Sequence, residues 1–311
     1  MGPTASGKTE VAIDLAKNMD CELISVDSVQ VYRGLDVGTA KPNFPHHLID
    51  IRDPSDTYSA VEFAKDASNL CSEITCRGKI PVLVGGSMLY FRILLDGFSN
   101  IPAADPSIRS AIEVEASNKG WEQLHSDLSI VDPISASKIH PNHSRRISRA
   151  LEVYRSTGKP LSSWHETGKR KSVLEDKFRV LSFGLAPVVR TLLHERIERR
   201  FGAMMKAGFL EEVTTLFERE DLNETIPAMQ AVGYRQLWRF LQKDITLEQA
   251  CLESVSATRQ VAKRQLTWLR SRRNLNWIYI NSDGTLNREG YLKEKTVNPK
   301  NPADLIQLFL A

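Results

Sequence analysis

Over the first hundred residues, short apolar runs rich in β-branched side chains alternate with segments of helical period. CELISV leads into Asp27 and KIPVLVGG ends at Gly86, while GPTASGKT opens a helical pattern through Lys17 and an apolar helix follows Gly86. This alternation predicts parallel strands joined by crossover helices. Near Asp105 the pattern changes. From 105 to 176 no strand pattern appears, and ADPSIRSAIEVEA, WEQLHSDLSIVD, DPISASKIH and SRRISRALEVYRSTG read as helices opened by Asp, Ser or a D-P pair. FRVLSFGLAP at 178–187 reads as a strand returning to the sheet, and RTLLHERIERRFGAMMKAGF as a helix that ends near a glycine. Helices dominate afterwards, NWIYI around Trp277 is the last strand, and the Asn- and Lys-rich stretch 281–301 reads as loop. The expected architecture is α/β: a parallel-sheet core formed by 1–104 and 177–311, the latter ending in helices, with an all-helical insertion at 105–176.

At 311 residues and 41% hydrophobic, the chain can bury one large core or two medium ones. It has no run of roughly 18 apolar residues and no signal-peptide pattern, so a cytoplasmic protein without membrane association is expected. Cys21, Cys71, Cys76 and Cys251 are scattered, without a C-x-x-C pair. That argues against a disulfide framework or a zinc site, and for inert, partly buried thiols. The absence of an apolar heptad makes a monomer without a protein partner the expectation. Net charge is only +3, but its distribution is uneven. Ser254 to Leu275 holds six basic residues and no acid, and Lys138 to Arg149 holds four basic residues, two histidines and no acid. Two such blocks point to a polyanionic partner.

Gly2, Pro3, Thr4, Ala5, Ser6, Gly7, Lys8 and Thr9 match G-x-x-x-x-G-K-[ST] in full. In a P-loop the glycines let backbone N–H groups turn toward phosphate, the lysine adds a cation, the threonine hydroxyl binds Mg²⁺ and the helix contributes its positive end. The core is therefore expected to be P-loop NTPase-like, and the strand that ordinarily enters such a loop would lie before Met1. A P-loop specifies a polyphosphate and leaves the reaction open. Asp27, at the end of ELISV, suits a magnesium ligand or a general base, and equally a turn or helix cap. Ser87, after two glycines at a second strand end, suits a phosphate contact or an ordinary N-cap.

GPTASGKT, LISVDSVQVYRGLDVGTAKP, PHHLIDIRDP, PVLVGGSMLYFRILLDG, RRISRALEVY, AVGYRQ and ATRQVAKRQLTWLR occur in this order between positions 2 and 270. Together they resemble the bacterial tRNA dimethylallyltransferases. The resemblance implies a P-loop core with a helical insertion and a channel where dimethylallyl diphosphate meets a flipped adenosine of the anticodon stem-loop. It makes Asp27 the general base toward the exocyclic amine, with Lys8 and the loop amides on the diphosphate, Thr9 toward Mg²⁺ and Arg200 as a further diphosphate contact. It also implies RNA contacts at Asp27, Ser28, Val29 and Gln30, at Ser87 and Arg109, and across Gln230, Ala231, Val232, Gly233, Tyr234 and Arg235. The helical run Arg145, Arg146, Ile147, Ser148 and Arg149 is expected to grip phosphates. So is the run Lys263, Arg264, Gln265, Leu266, Thr267, Trp268, Leu269 and Arg270. Considered alone, both read sooner as solvated basic helix faces, Arg200 as one more surface charge, and Trp268 as core.

Two departures from the family pattern stand out. Ser87 replaces the usual threonine: the resemblance implies a catalytic contact from this hydroxyl to the bridging or leaving oxygen, and without the methyl that restricts its rotamer the same role is expected with looser positioning. The stretch between Lys41-Pro42 and Pro45-His46-His47 is also shorter than usual. His46, His47, His140 and His143 lack metal-ligand spacing with a third partner. The competing readings are a P-loop small-molecule kinase, which leaves both basic blocks unexplained, and an RNA-binding NTPase without transferase chemistry.

Overall fold

The computed structural model describes residues 1–97, 101, 105–167, 172–283, 285–287 and 301–310. They group into two compact units, Met1–Leu95 with Val173–Ala311, and Asp96–Ser172. The first unit opens with α1 (Lys8–Asn18), β1 (Cys21–Val26), α2 (Ala60–Cys76), β2 (Ile80–Gly85) and α3 (Met88–Asp96). β1 and β2 pair in parallel from Cys21–Ile80 to Val26–Gly85. Leu23 to Val26 are buried without alternation, as expected of a parallel strand covered on both faces. A Cβ at Gly85 would collide with the Val26 carbonyl, so glycine permits the close approach of the two strand ends. α2 starts at a capping box, in which Ser59 accepts from the Glu62 N–H and Glu62 answers the Ser59 N–H.

The second unit is all-helical in its described residues: α4 (Pro106–Lys119), α5 (Trp121–Val131), α6 (Pro133–Ala136), α7 (Ser144–Thr157) and α8 (Leu161–Thr167). Asp105 caps α4 ahead of a proline at its first position, and left-handed Gly158 ends α7. Ile112, Leu124, Leu128, Ile147 and Leu151 form this unit's own core.

The first unit resumes with β3 (Phe183–Pro187), α9 (Arg190–Lys206), α10 (Phe209–Phe217), α11 (Tyr234–Leu241), α12 (Leu247–Arg270), β4 (Asn276–Ile280) and α13 (Pro302–Leu310). β3 pairs in parallel with β4, and it begins later than the apolar run at 178 suggests. The core sheet is thus two two-stranded parallel sheets among the described residues, not one continuous sheet. An apolar cavity of about 370 Å³, bordered by Val82, Val84, Phe183 and Leu185, lies at their inner edges. Met1 donates to the Phe183 carbonyl and accepts from the Leu185 N–H, so the entry to the Gly2–Thr9 loop runs alongside β3. The short connection after Lys41 returns His47 as an extended residue bonded to Leu23 and Ser25, which covers the outer edge of β1.

The loop expected at 281–301 falls largely outside the described residues. Of the cysteines, Cys71 is buried, Cys21 and Cys251 are half-buried, and Cys76 is exposed, contrary to expectation, because it ends α2 on its solvent side. No helix among the described residues is long and apolar enough to cross a membrane.

Candidate active site

The Gly2–Thr9 loop holds Ala5 at φ 60° and Gly7 at φ 85°, a left-handed turn that brings consecutive N–H groups to the head of α1. A Cβ at Gly2 would stand 2.6 Å from Ser6 Oγ and 2.7 Å from the Leu185 carbonyl, so only glycine passes between the loop and β3. The Lys8 ammonium curls back to the Pro3 carbonyl at 3.3 Å. Burial, then the neighbouring Arg200, pulls Lys8 down to about 8, with Asp27 and Glu10 opposing the fall. Burial likewise lowers Arg200, on α9, again opposed by Asp27 and Glu10. Lys8, Arg200 and Asp27 therefore form one electrostatic group, two cations drawn out of water and a carboxylate that both attract.

Asp27 follows the last residue of β1, and its Oδ1 accepts the Val29 and Gln30 N–H groups at 2.9 and 3.2 Å. The turn reading of this residue is thus realised in one oxygen. Oδ2 accepts no hydrogen bond among the described residues. Ser87, just past β2, donates its N–H to the Val26 carbonyl, and its Oγ accepts the Ser28 N–H at 3.0 Å and meets Ser28 Oγ at 3.3 Å. Its hydroxyl thus tethers the segment after Asp27. Gln30 is occupied within the same segment, bonding Ser25 Oγ and the Thr39 carbonyl, Val29 packs on the core, and Ser28 is exposed.

The two basic helices divide cleanly by exposure. On α12, Lys263, Arg264, Thr267 and Arg270 face solvent, while Leu269 is buried, Leu266 packs on the Leu193–Ile197–Ala262 cluster, and Trp268 lies against the main core beneath the Arg272 guanidinium. Gln265 turns inward, its Oε1 accepting the Thr4 N–H and its Nε2 donating to the Gly86 carbonyl, both at 2.8 Å. On α7, Arg145 and Arg146 are exposed. Arg149 pairs with Glu152, which also holds Arg109 and the Asp105 N–H. That carboxylate is fully buried, so Arg109 and Arg149 first satisfy a buried charge and are less available to phosphate than their spacing implies.

Ile147 and Ser148 are buried and offer little surface for contact, and the Ile147 side chain sits in the helical core. The same holds for Gly233 and Tyr234. A Cβ at Gly233 would lie 2.9 Å from the Phe209 ring, and Tyr234 donates to Glu212 at 2.6 Å. Around them, Arg235 is exposed, Ala231 and Val232 are half-buried, and Gln230 bonds the Glu224 carbonyl.

Glu212 was invisible in the sequence. Its carboxylate accepts the N–H groups of Asp36, Val37 and Gly38 at 2.8, 2.7 and 3.0 Å, clamping the loop beyond Asp27 to α10 and α11. Nothing local in FLEEV distinguishes it from a solvated helix-start glutamate. Among the described residues no three His, Cys, Asp or Glu side chains could hold a metal, and His47 pairs with Glu22 instead.

The IPP transferase family description matches residues 30–272, well over half of the chain, and the isopentenyl transferase description matches residues 1–50. The chain belongs to the IPP transferase family. Its fold is similar to that of a tRNA isopentenylpyrophosphate transferase from Bacillus halodurans, at 38% identity over 90% of this chain and 88% of that one, with a TM-score of 0.63. It is also similar to a tRNA delta(2)-isopentenylpyrophosphate transferase from Staphylococcus epidermidis, at 33% identity over 100% and 96% of the chains and a TM-score of 0.64. A eukaryotic dimethylallyltransferase acting on tRNA aligns at 27% identity over 90% and 72%, with a TM-score of 0.73. Membership in this family sets the kinase reading aside.

Proposed function

We propose that the protein transfers a dimethylallyl group from dimethylallyl diphosphate to the exocyclic amine of the adenosine immediately 3′ of the anticodon in transfer RNA, releasing diphosphate. The observation that carries this reading is the carboxylate of Asp27 at a strand end, electrostatically coupled to Lys8 and Arg200 beside the Gly2–Thr9 loop. The loop is read as a P-loop that holds the diphosphate through its amides. Lys8 and Arg200, both drawn out of water by burial, take the charge that builds on the leaving oxygen.

The amine nitrogen attacks the allylic carbon, the bond from that carbon to the diphosphate oxygen breaks, and its electron pair leaves on the diphosphate. Asp27 takes the proton from the nitrogen. An aromatic amine is a weak nucleophile, so a fixed proton acceptor and a fixed leaving group supply most of what the protein adds. The Thr9 hydroxyl and the diphosphate oxygens would hold a Mg²⁺ shared with the substrate, which would neutralise leaving-group charge. The helical unit is read as a tRNA-binding insertion through Arg145 and Arg146. Ser28, Arg235, Lys263, Arg264 and Arg270 serve the RNA from the larger unit.

The reading is tested by incubating the protein with Mg²⁺, radiolabelled dimethylallyl diphosphate and unmodified transfer RNA bearing adenosine next to the anticodon. Label retained by the RNA, and lost when that adenosine is replaced, is expected. Phosphoryl transfer from ATP to a small acceptor without RNA labelling would overturn it.

A further inference from the structure

Gln265 sits in α12, remote in sequence from both loops that its side chain joins. Its carboxamide takes the Thr4 N–H on one side and gives a hydrogen to the Gly86 carbonyl on the other, each at 2.8 Å. The fit at Gly86 is tight, since a Cβ there would stand 2.6 Å from Gln265 Nε2. Gly86 precedes Ser87, which is bonded to Val26 through its N–H and to Ser28 through its Oγ. One side chain therefore links the loop assigned to the diphosphate with the strand ends that carry Asp27. The glutamine carboxamide satisfies both ends at once. A carboxylate has no donor and would face the Gly86 carbonyl, an ammonium has no acceptor, and an asparagine is a methylene too short. The neighbouring Lys263 and Arg264 point to solvent, so the polar atoms of Gln265 leave the basic face that its sequence context suggests.

We infer that Gln265 is a positioning residue that sets the separation between the diphosphate loop and Asp27, and that it is not an RNA contact. The inference rests on the transferase reading above. A joint of this kind acts on the alignment of amine, carbon and leaving oxygen, where a displacement of about 1 Å costs on the order of a hundredfold in rate.

The test compares wild type with Gln265→Glu and Gln265→Met, the second matching the length and packing of glutamine without its hydrogen bonds. Rates are taken per folded molecule, with the folded fraction measured by circular dichroism. Both variants should lose about tenfold to a hundredfold in single-turnover label transfer and bind dimethylallyl diphosphate more weakly. The transfer RNA Kd and its salt slope should stay at the wild-type values, a split that a general loss of structure would not produce. A single-turnover rate within about twofold of wild type in the methionine variant would overturn the inference, as would a weaker transfer RNA Kd with a shallower salt slope. If Gln265→Glu does not fold, Gln265→Met alone decides. Absence of transfer by the wild type would refute the transferase reading instead, which separates the two failures.

Discussion

Asp27 has two carboxylate oxygens and two demands on them. Oδ1 builds the turn through Val29 and Gln30, and in the proposed reaction Oδ2 takes the substrate proton. The substitutions that separate these jobs are Asp27→Asn, which keeps an acceptor for the turn and removes the base, and Asp27→Ala, which removes both. Asn should lower single-turnover transfer by about 10²–10⁴-fold with transfer RNA affinity near wild type, whereas Ala should also weaken RNA binding by loosening Ser28. Filter binding and label transfer together read this out, and an Asn variant with wild-type rate would remove Asp27 from proton transfer. Lys8 gives a second prediction at this scale. Its value near 8 means that the free protein holds Lys8 charged below that pH and neutral above it, so a diphosphate must restore the proton at high pH. Affinity for dimethylallyl diphosphate should therefore fall as pH rises through about 8, and Lys8→Arg should carry the fall out of the titrated range. For folding the sign is opposite: a lowered lysine value disfavours the native state below 8 and relaxes as pH rises. An affinity that holds steady from pH 7 to 9.5 would show that Lys8 does not meet the diphosphate.

At the scale of elements, α12 shows how much a sequence discloses and where it stops. Its basic pattern and helical period were legible from spacing alone, because a helix sorts its own residues by face. What spacing cannot give is a partner across the fold. The bond from Gln265 to Thr4 and the clamp of Glu212 on Asp36, Val37 and Gly38 join residues more than 170 positions apart, and a glutamine or glutamate on a helix carries no local mark of such a role. The same limit made Ile147, Tyr234 and Leu269 look like contact residues when they are buried. Two predictions follow from this division. Lys263→Ala and Arg264→Ala should each shallow the salt dependence of transfer RNA binding by about one unit of slope, without changing diphosphate affinity. An unchanged slope in both would remove this face of α12 from the RNA. Glu212→Gln puts an amide where three backbone N–H groups need an acceptor, and should cost about 1–3 kcal/mol in urea unfolding while weakening the loop that follows Asp27.

At the scale of the whole molecule, the two units have separate hydrophobic cores, one around Phe63, Phe91, Phe209 and Tyr234 and the other around Ile112, Leu124, Leu128 and Ile147. Binding the diphosphate and binding the RNA should then be separable by a change in one core. Ile147→Ala removes a fully buried side chain from the helical unit, and a cavity of this kind costs about 2–5 kcal/mol of that unit's stability. Hydrogen exchange should quicken in α4, α5 and α7 while the amides of β1 and β2 keep their protection. Diphosphate affinity should stay within about twofold of wild type, since the altered side chain belongs to the other hydrophobic core. RNA labelling should fall, because Arg145 and Arg146 ride on the helix whose packing is lost. Should β1 and β2 lose protection together with α7, the units would be one cooperative body, and the helical unit could not be treated as an RNA-binding insertion with a stability of its own.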